Sequence, residues 1–444
     1  MSETQRPHWG SKMGFILAAA GSAIGLGNIW RFPYITQQNG GGIFVIVYLL
    51  AVLFIGLPVM LGEITIGRHT QRNPVGAYGR IAPGWRFVGA LGIISGLGIL
   101  SYYSVVAGWT IGYAVKSIGG SLDPNGFGAF LGDWRQQIGY LAAFSLLTSF
   151  VVASGVQAGI ERMARVLMPL LFLLMLGLII RGLTLPTAGA GLKFYLMPDV
   201  DKLTTKTFLF AVGQAFFSLS LGMGAMLTYG AYLKKEDNLV TCAVAVVALD
   251  TLIALMAGFL IFPVIGHGLH KGGPSLVFVT MIAQFSHMTG GTVTAILFFV
   301  LLALAALTST VSLMEVFISY LIDEWHMRRL SAVVLTGTLS FALGVPSALS
   351  LGAVPSLTHI IHGKGFLDIF DFAFGNLALT LGGLLMCIVL IYRWGFRHAA
   401  DEVLGSSPKF RPFAQTWKIL LQYVAPVAIA GLLIYCLVTG TGLS

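Results

Sequence analysis

The chain has 444 residues, of which 56% are hydrophobic and only 10% charged. Soluble domains carry roughly 25% charged residues, and no polar stretch here is long enough to form one. The net charge of +9 does not point to nucleic acid, because the basic residues fall in every second loop and so report orientation across a membrane. They are Arg68, Arg72, Arg80 and Arg86; Arg162 and Arg165; Lys234 and Lys235; Arg328 and Arg329; and Arg393, Arg397, Lys409, Arg411 and Lys418.

In chain order, the N-terminus MSETQRPHWGSKMG is polar and holds no signal-peptide core. About eleven apolar runs follow, each near the roughly 17–25 residues that cross a bilayer. Their centres lie near Gly21, Phe54, Tyr103, Leu147, Leu174, Ser220, Thr251, Leu304, Leu339, Leu381 and Ile429. A cytoplasmic N-terminus places all the basic loops inside. An odd number of spans then puts the uncharged tail, Thr439 to Ser444, outside. The expectation is a multi-pass protein of the cell (inner) membrane.

The first run, GFILAAAGSAIGLGNIWRFP, and the sixth, FAVGQAFFSLSLGMGAMLTYGAY, have glycine-rich centres. Each glycine weakens a helix by about 1 kcal/mol relative to alanine. Unwound backbone at membrane depth survives only where it lines a buried cavity. The two runs lie five spans apart, and an odd offset gives the halves of the chain opposite orientation, as in an inverted repeat. Glu63 lies in the second run and Asp250, in VVALDTLIALMAG, in the seventh. A carboxylate at that depth costs about 2.5–3.5 kcal/mol on insertion scales, so Asp250 needs a cation or a proton. In the fifth run Gly159 stands ten residues before Pro169, a weakened helix.

The segment from His267 to Gly291 is too apolar for a free loop and predicts a short helical hairpin. Phe194 to Lys206 reads as an ordinary polar connection. Cys242, Cys387 and Cys436 sit in apolar runs without metal-ligand spacing and read as small hydrophobes. Histidines His267, His270, His287, His359 and His362 lie in outer loops with no GxSxG, HExxH or paired-aspartate motif. An intramembrane enzyme is therefore disfavoured.

GSAIGLGNIWRFPY with NGGG, then GQAFFSLSLGMGA, ALTSTVS and LDIFDF, resemble the first, sixth, eighth and tenth helices of the neurotransmitter:sodium symporters, in particular the bacterial LeuT-type amino-acid transporters. The likeness is collinear over most of the chain. It implies an all-α membrane protein: a LeuT-type 5+5 inverted repeat with broken helices 1 and 6, plus one extra C-terminal helix. A single transporter domain over residues 1–444 would comprise repeat one at about 10–185, repeat two at about 205–395 and the extra helix at about 415–440. The implied activity is sodium-coupled import of a hydrophobic or aromatic L-amino acid by alternating access. Two sodium ions, no organic cofactor, a lipid bilayer and a monomer or weak homodimer complete the expectation.

The resemblance also assigns sites. The first sodium would take the Ala23 carbonyl, the Asn28 amide oxygen, Ser218 and Asp250, completed by the substrate carboxylate. The second would take carbonyls of Gly21, Ile24 and Ala305 and the hydroxyls of Thr308 and Ser309. Many relatives carry asparagine in place of Asp250, and the chloride-dependent ones bind chloride nearby, so a fixed carboxylate implies transport without chloride. Tyr48 and Gln214 match the chloride-site positions. The substrate carboxylate would meet amides around Leu26 and Gly27 and the Tyr103 hydroxyl, and its ammonium carbonyls near Ala23, Phe217 and Ser218.

Relatives that carry monoamines place an aspartate where this chain has Gly25, which favours an amino acid. The implied side-chain pocket is Ser22, Ile99, Tyr103, Phe217, Ser220, Met223 and Leu313, with Ser309 beside it. It is uncharged, so charged side chains are rejected by desolvation, and Leu, Tyr, Trp and Phe are the expected substrates. Arg31 and Asp371 would form the outer gate above a Tyr103–Phe217 lid. Arg6 and Asp323, with Trp9 and Tyr232, would form the inner gate. Glu63 would accept hydrogen bonds from unwound sixth-helix amides. Glu315 replaces a glutamine of the leucine transporter and has no assigned part. A sodium-coupled carrier of another small zwitterion, and an amino-acid sensor on the same fold, are the alternatives.

Overall fold

The computed structural model describes residues 7–266, 273–361 and 363–442. The expected gate residue Arg6, and His267, His270 and His362, lie outside the described residues.

Among the described residues nine helices are long and apolar enough to cross a membrane: Gly42–Thr70, Arg86–Ile118, Trp134–Ala153, Val156–Leu183, Leu239–Ile265, Gly291–Trp325, Arg329–Leu349, Phe366–Ser406 and Pro408–Thr439. A bent pair, Lys12–Ala23 and Gly27–Gln38, meets at 53° and makes a tenth span. The sixth of the expected runs is met as two helices, Thr205–Ser218 and Ala225–Gly230, each short of the ~20 residues a straight span needs. Counting it as one interrupted segment, the spans are numbered one to eleven below.

The interruptions follow from the backbone. In span one, Ile24 turns extended at φ −74° and ψ 107°, while its N–H still bonds to the Ala20 carbonyl. In span six, Ser220, Gly222 and Gly224 all have positive φ, at 54°, 83° and 78°. Glycine tolerates that region. Ser220 does not, and its hydroxyl is bonded to the Ser22 carbonyl at 3.0 Å across the two breaks. Gly222 donates its N–H to Glu63 Oε1 at 2.6 Å, so a span-two carboxylate supplies the acceptor that the helix has lost.

Spans three and eight pack along each other at the centre, and spans four and nine lie against span three. Spans five and seven flank the inner half of span one. Large side chains such as Phe150, Leu173, Val427 and Val438 point outward, the last 79% exposed, which suits a lipid solvent rather than water.

Two loop expectations need correction. Residues 267–291 do not show a helical hairpin among those described; Leu276–Ser286 is one apolar helix, too short to turn back on itself. It buries Leu276, Phe278, Met281 and Phe285, with Phe278 stacked on Phe127 at 5.3 Å. The connection before span six is not a plain polar link either. It contains the helix Ala188–Leu196 and then pairs Pro198 with Gly41. A Cβ on Gly41 would lie 2.4 Å from the Phe194 carbonyl oxygen, and one on Gly42 2.7 Å from the Met197 carbonyl carbon. The NGGG run thus admits a crossing chain at backbone distance.

The same device joins spans two and six. A Cβ on Gly67 would stand 2.0 Å from the Leu227 carbonyl oxygen, whereas Gly177 in span five has open space where its Cβ would be. Gly67→Ala is expected to destabilise the protein by about 1–3 kcal/mol, the usual toll of overpacking. Gly177→Ala is expected to be neutral or to gain up to ~1 kcal/mol in helix propensity. Thermal melting of both purified variants beside the parent checks the pair; equal melting temperatures would contradict the crossing.

Candidate functional site

The two breaks face each other and gather three groups of polar atoms. The first lies between span one, the outer half of span six and span seven. Asn28 donates its amide nitrogen to Asp250 Oδ1 at 2.7 Å and to Ser218 Oγ at 3.0 Å. Ser218 donates to Asp250 Oδ2 at 2.8 Å. The Asn28 amide oxygen is taken by the Gly25 N–H at 3.1 Å, so it faces away from Asp250. Asp250 is fully buried, and among the described residues no Lys, Arg or His forms an ion pair with it. Two neutral donors do not balance a buried carboxylate, which calls for a cation or a proton. Tyr48 adds its hydroxyl at 3.5 Å from Ser218 Oγ, and Gln214 donates to the Gly27 carbonyl at 3.0 Å.

The second group lies between the first break and span eight. Thr308 Oγ1 reaches the Ile24 carbonyl at 3.3 Å and the Ala305 carbonyl at 2.9 Å. Ser309 Oγ lies 3.5 Å from the Ile24 carbonyl and 3.4 Å from that of Ala305. The bonds back to Ala305 are ordinary within a helix. Those to Ile24 are not, since they cross to a carbonyl freed by the break. Gly21 is pressed on this spot: a Cβ there would meet Thr308 Cβ and Met168 Sδ, each at 3.3 Å. These are hard oxygen donors, the type that suits an alkali or alkaline-earth cation rather than a soft metal.

The third group is a small cavity. Ser22, Ala23, Gly25, Gly27, Ile99 and Tyr103 form one side of it. Phe217, Ser220, Met223, Ser309 and Leu313 form the other, together with Leu379. Leu26 and Ser218 are not on its wall. Leu26 donates its N–H to the Tyr103 hydroxyl at 2.9 Å and lines the space above, and Ser218 faces Asp250. A Cβ on Gly25 would sit 2.5 Å from Ser309 Oγ and 2.7 Å from Tyr103 Oη. The Ser309 and Tyr103 hydroxyls therefore crowd Gly25 and leave no room for a side chain at the break.

Above Tyr103 and Phe217 a larger space of about 1240 Å³ opens, bordered by Trp30, Arg31, Trp109, Asp368 and Asp371. Tyr103, Phe217 and Gly27 line both spaces. Arg31 stacks on the Phe217 ring at 4.2 Å from its centroid. Arg31 and Asp371 share this vestibule without forming a direct ion pair among the described residues.

The opposite end is shut. Trp9 is 2% exposed. Its N–H bonds to the Tyr232 carbonyl at 3.1 Å and its indole to the Tyr229 carbonyl at 3.0 Å. Tyr232 donates its hydroxyl to Glu315 at 2.7 Å, and Glu315 pairs with Arg329 at 2.6 Å. Asp323 accepts from the Asn73 N–H at 2.8 Å. The carboxylate of Glu161 accepts from Gly10 N at 2.7 Å and from Ser11 Oγ at 3.3 Å, and it pairs with Arg165.

Sequence reasoning missed three participants. Ser312 accepts a hydrogen bond from Ser22 at 2.7 Å; it closes the ALTSTVS motif one helical turn after Ser309, so its spacing was a usable signal. Leu379 lies in a plain apolar run and carried none. Arg329 explains Glu315: an acid replaces a neutral amide where a guanidinium lies beside it.

The sodium:neurotransmitter symporter family model matches residues 6–126 and 130–443. An uncharacterized sodium-dependent transporter of Bacillus subtilis is 38% identical, with 97% of this chain and 97% of the relative covered. A second such transporter, from Haemophilus influenzae, is 37% identical over 96% of this chain and 97% of its own length. The crystal structure of MhsT in complex with L-phenylalanine superposes with a TM-score of 0.89 at 40% identity, covering 97% of this chain and 99% of the other. The chain is therefore a multi-pass membrane protein of a transporter fold, and it belongs to the sodium:neurotransmitter symporter family.

Proposed function

We propose that the protein imports a hydrophobic or aromatic L-amino acid together with two sodium ions, and does so without chloride. The observation that carries this reading is that Ser309 and Tyr103 close on Gly25, where a Cβ would lie 2.5 Å from Ser309 Oγ and 2.7 Å from Tyr103 Oη, so the break holds no built-in side-chain carboxylate. A substrate carboxylate in the cavity beside the Tyr103 hydroxyl and the Gly27 backbone would lie at the positive end of the outer half of span one. An amine has no group to put there. Ile99, Phe217, Met223, Leu313 and Leu379 offer the side chain an apolar wall without charge, so a Lys, Arg, Asp or Glu side chain pays desolvation with nothing returned. The L-phenylalanine bound by the neighbour MhsT agrees with this polarity.

The two oxygen clusters are the candidate cation sites, with sodium as cargo. Asp250, Ser218 and Asn28 would hold the first, beside the substrate carboxylate, once the Asn28 amide turns its oxygen inward. Ile24, Ala305, Thr308, Ser309 and Gly21 would hold the second. The charges then balance: two sodium ions against Asp250 and the substrate carboxylate, with the substrate ammonium facing freed carbonyls. Asp250 fills the anion's part in that balance, which is why chloride is not needed.

Alternating access follows from the ends of the molecule. The buried Trp9 closes one, and the Tyr103–Phe217 lid with Arg31 thins the barrier at the other. Repeat one would comprise spans one to five and repeat two spans six to ten. The closed end collects Arg68, Arg86, Arg165, Lys235 and Arg329, and the positive-inside rule assigns it to the cytoplasm of the inner membrane. The C-terminal Gly440 is bonded by Lys364 near the vestibule end. Each sodium entering with a zwitterion down 100 mV contributes about 2.3 kcal/mol.

Four measurements test this. In proteoliposomes, labelled phenylalanine should accumulate in sodium but not in potassium buffer, with leucine, tyrosine and tryptophan competing and lysine and glutamate not. Uptake should persist when gluconate replaces chloride, and Asp250→Asn should make it chloride-dependent; a parent protein that stops without chloride refutes the charge balance. Gly25→Asp should lower uptake at least about a hundredfold, because its side chain collides with Ser309 and Tyr103 and repels the substrate carboxylate. Thr308→Ala should raise the half-saturating sodium concentration about tenfold, the scale of one lost oxygen ligand near a charge, while substrate selectivity stays as in the parent.

A further inference from the structure

At the basic end of the bundle, between spans two and three, lies a concave site with no part in the transport path. Three arginines, Arg72, Arg80 and Arg86, surround about 860 Å³ of open space over backbone left bare by Gly76, Gly79 and Gly84. All three side chains are exposed. The local acid is Glu324, whose Oε2 meets Arg86 at 2.9 Å and whose Oε1 accepts from Asn73 at 3.1 Å. Arg80 directs one nitrogen to the Thr70 carbonyl at 3.1 Å. Arg72 has no ion-pair partner among the described residues. The pocket therefore carries a surplus of positive charge that the protein does not neutralise.

The arginines are held by bare backbone. A Cβ on Gly79 would come within 3.0 Å of the Arg86 side chain, and one on Gly76 within 2.7 Å of Glu324 Oε1 and 3.2 Å of Arg72 Cδ. Guanidinium groups lying on a concave backbone suit a tetrahedral oxyanion, which each can grip through two parallel N–H bonds.

The rim tells which oxyanion. Phe87 follows Arg86 directly and is 53% exposed, and Ile94, two helical turns on, is 55% exposed. They form an outward apolar stripe on span three. Trp85 packs against Phe87 at 5.4 Å and lies under Arg393 at 5.2 Å, an aromatic and basic pairing typical of the membrane–water boundary. We propose that this pocket binds a phosphate-bearing anion, and that the anion is the headgroup of an acidic membrane lipid whose chains lie along Phe87 and Ile94. A headgroup there competes with Glu324 for Arg86, next to Asp323 at the inner closure.

The test uses the purified full-length protein and native mass spectrometry of bound lipid. It is titrated with phosphatidylglycerol, with phosphatidylcholine of the same chain length, and with inorganic phosphate as competitor. Phosphatidylglycerol should bind and phosphatidylcholine should not. Arg72→Gln/Arg80→Gln should weaken phosphatidylglycerol binding about tenfold or more, the effect of losing two basic side chains near an anionic headgroup. Lys409→Gln/Arg411→Gln, removing exposed charge elsewhere in the basic loops, should change it less than about twofold. Arg72→Gln alone, which breaks no ion pair, gives the same reading in smaller measure should the double variant fold poorly. If millimolar phosphate displaces the lipid and occupies the pocket equally well, a soluble anion is the source and the lipid assignment is overturned. Equal losses in the two double variants would show diffuse surface charge and overturn the site itself.

Discussion

Inside a bilayer a peptide group has no water to turn to, and every break in a helix must be answered by another part of the protein. That constraint organises this molecule. The extended turn at Ile24 frees carbonyls that Thr308 and Ser309 meet from span eight. The positive-φ stretch at Ser220 to Gly224 frees N–H groups, and Glu63 meets one of them from span two. Ser220 ties the two breaks together through the Ser22 carbonyl. Polar atoms that would otherwise be a liability of several kcal/mol each become a hydrophilic lining between the two breaks.

The rest of the fold serves to hold those breaks in register. Glycines at helix crossings let backbones touch, as Gly67 does against Leu227 and Gly41 against Phe194, so position is set by main chain rather than by adaptable side chains. Spans three and eight pack along each other and both lend residues to the cavity wall, Ile99 and Tyr103 from one, Ser309 and Leu313 from the other. Charge is used sparingly: Asp250 within the core, Arg31 at its mouth, and Glu315 with Arg329 at the closed end.

Much of this was legible in the residue order. The two glycine-rich centres announced the breaks, because glycine weakens a helix, and in span six Gly222 and Gly224 also take positive φ. A lone Asp250 in an apolar run announced the need for a cation or a proton, because the alternative is an uncompensated charge. Neighbouring hydroxyls in ALTSTVS announced oxygen donors on one helix face. What stayed hidden depended on partners distant in sequence. Nothing around residue 315 shows that Arg329 will lie beside it, since that pairing is made by a turn between helices. The helix Leu276–Ser286 looked like a hairpin because an apolar run gives its burial but not its direction. The orientation of the Asn28 amide is likewise decided by which neighbours compete for it, Gly25 on one side and Asp250 on the other.

Glu161 stands where the N-terminal segment meets the start of span five. It grips the peptide of Gly10 and the hydroxyl of Ser11, two residues from Gly159, on the helix whose Met168 touches Gly21. The leader that carries Trp9 and the weakest stretch of span five are thus stapled to one carboxylate. The plug at the closed end and the wall behind Gly21 hang on one pin, and a pull on either loads the other.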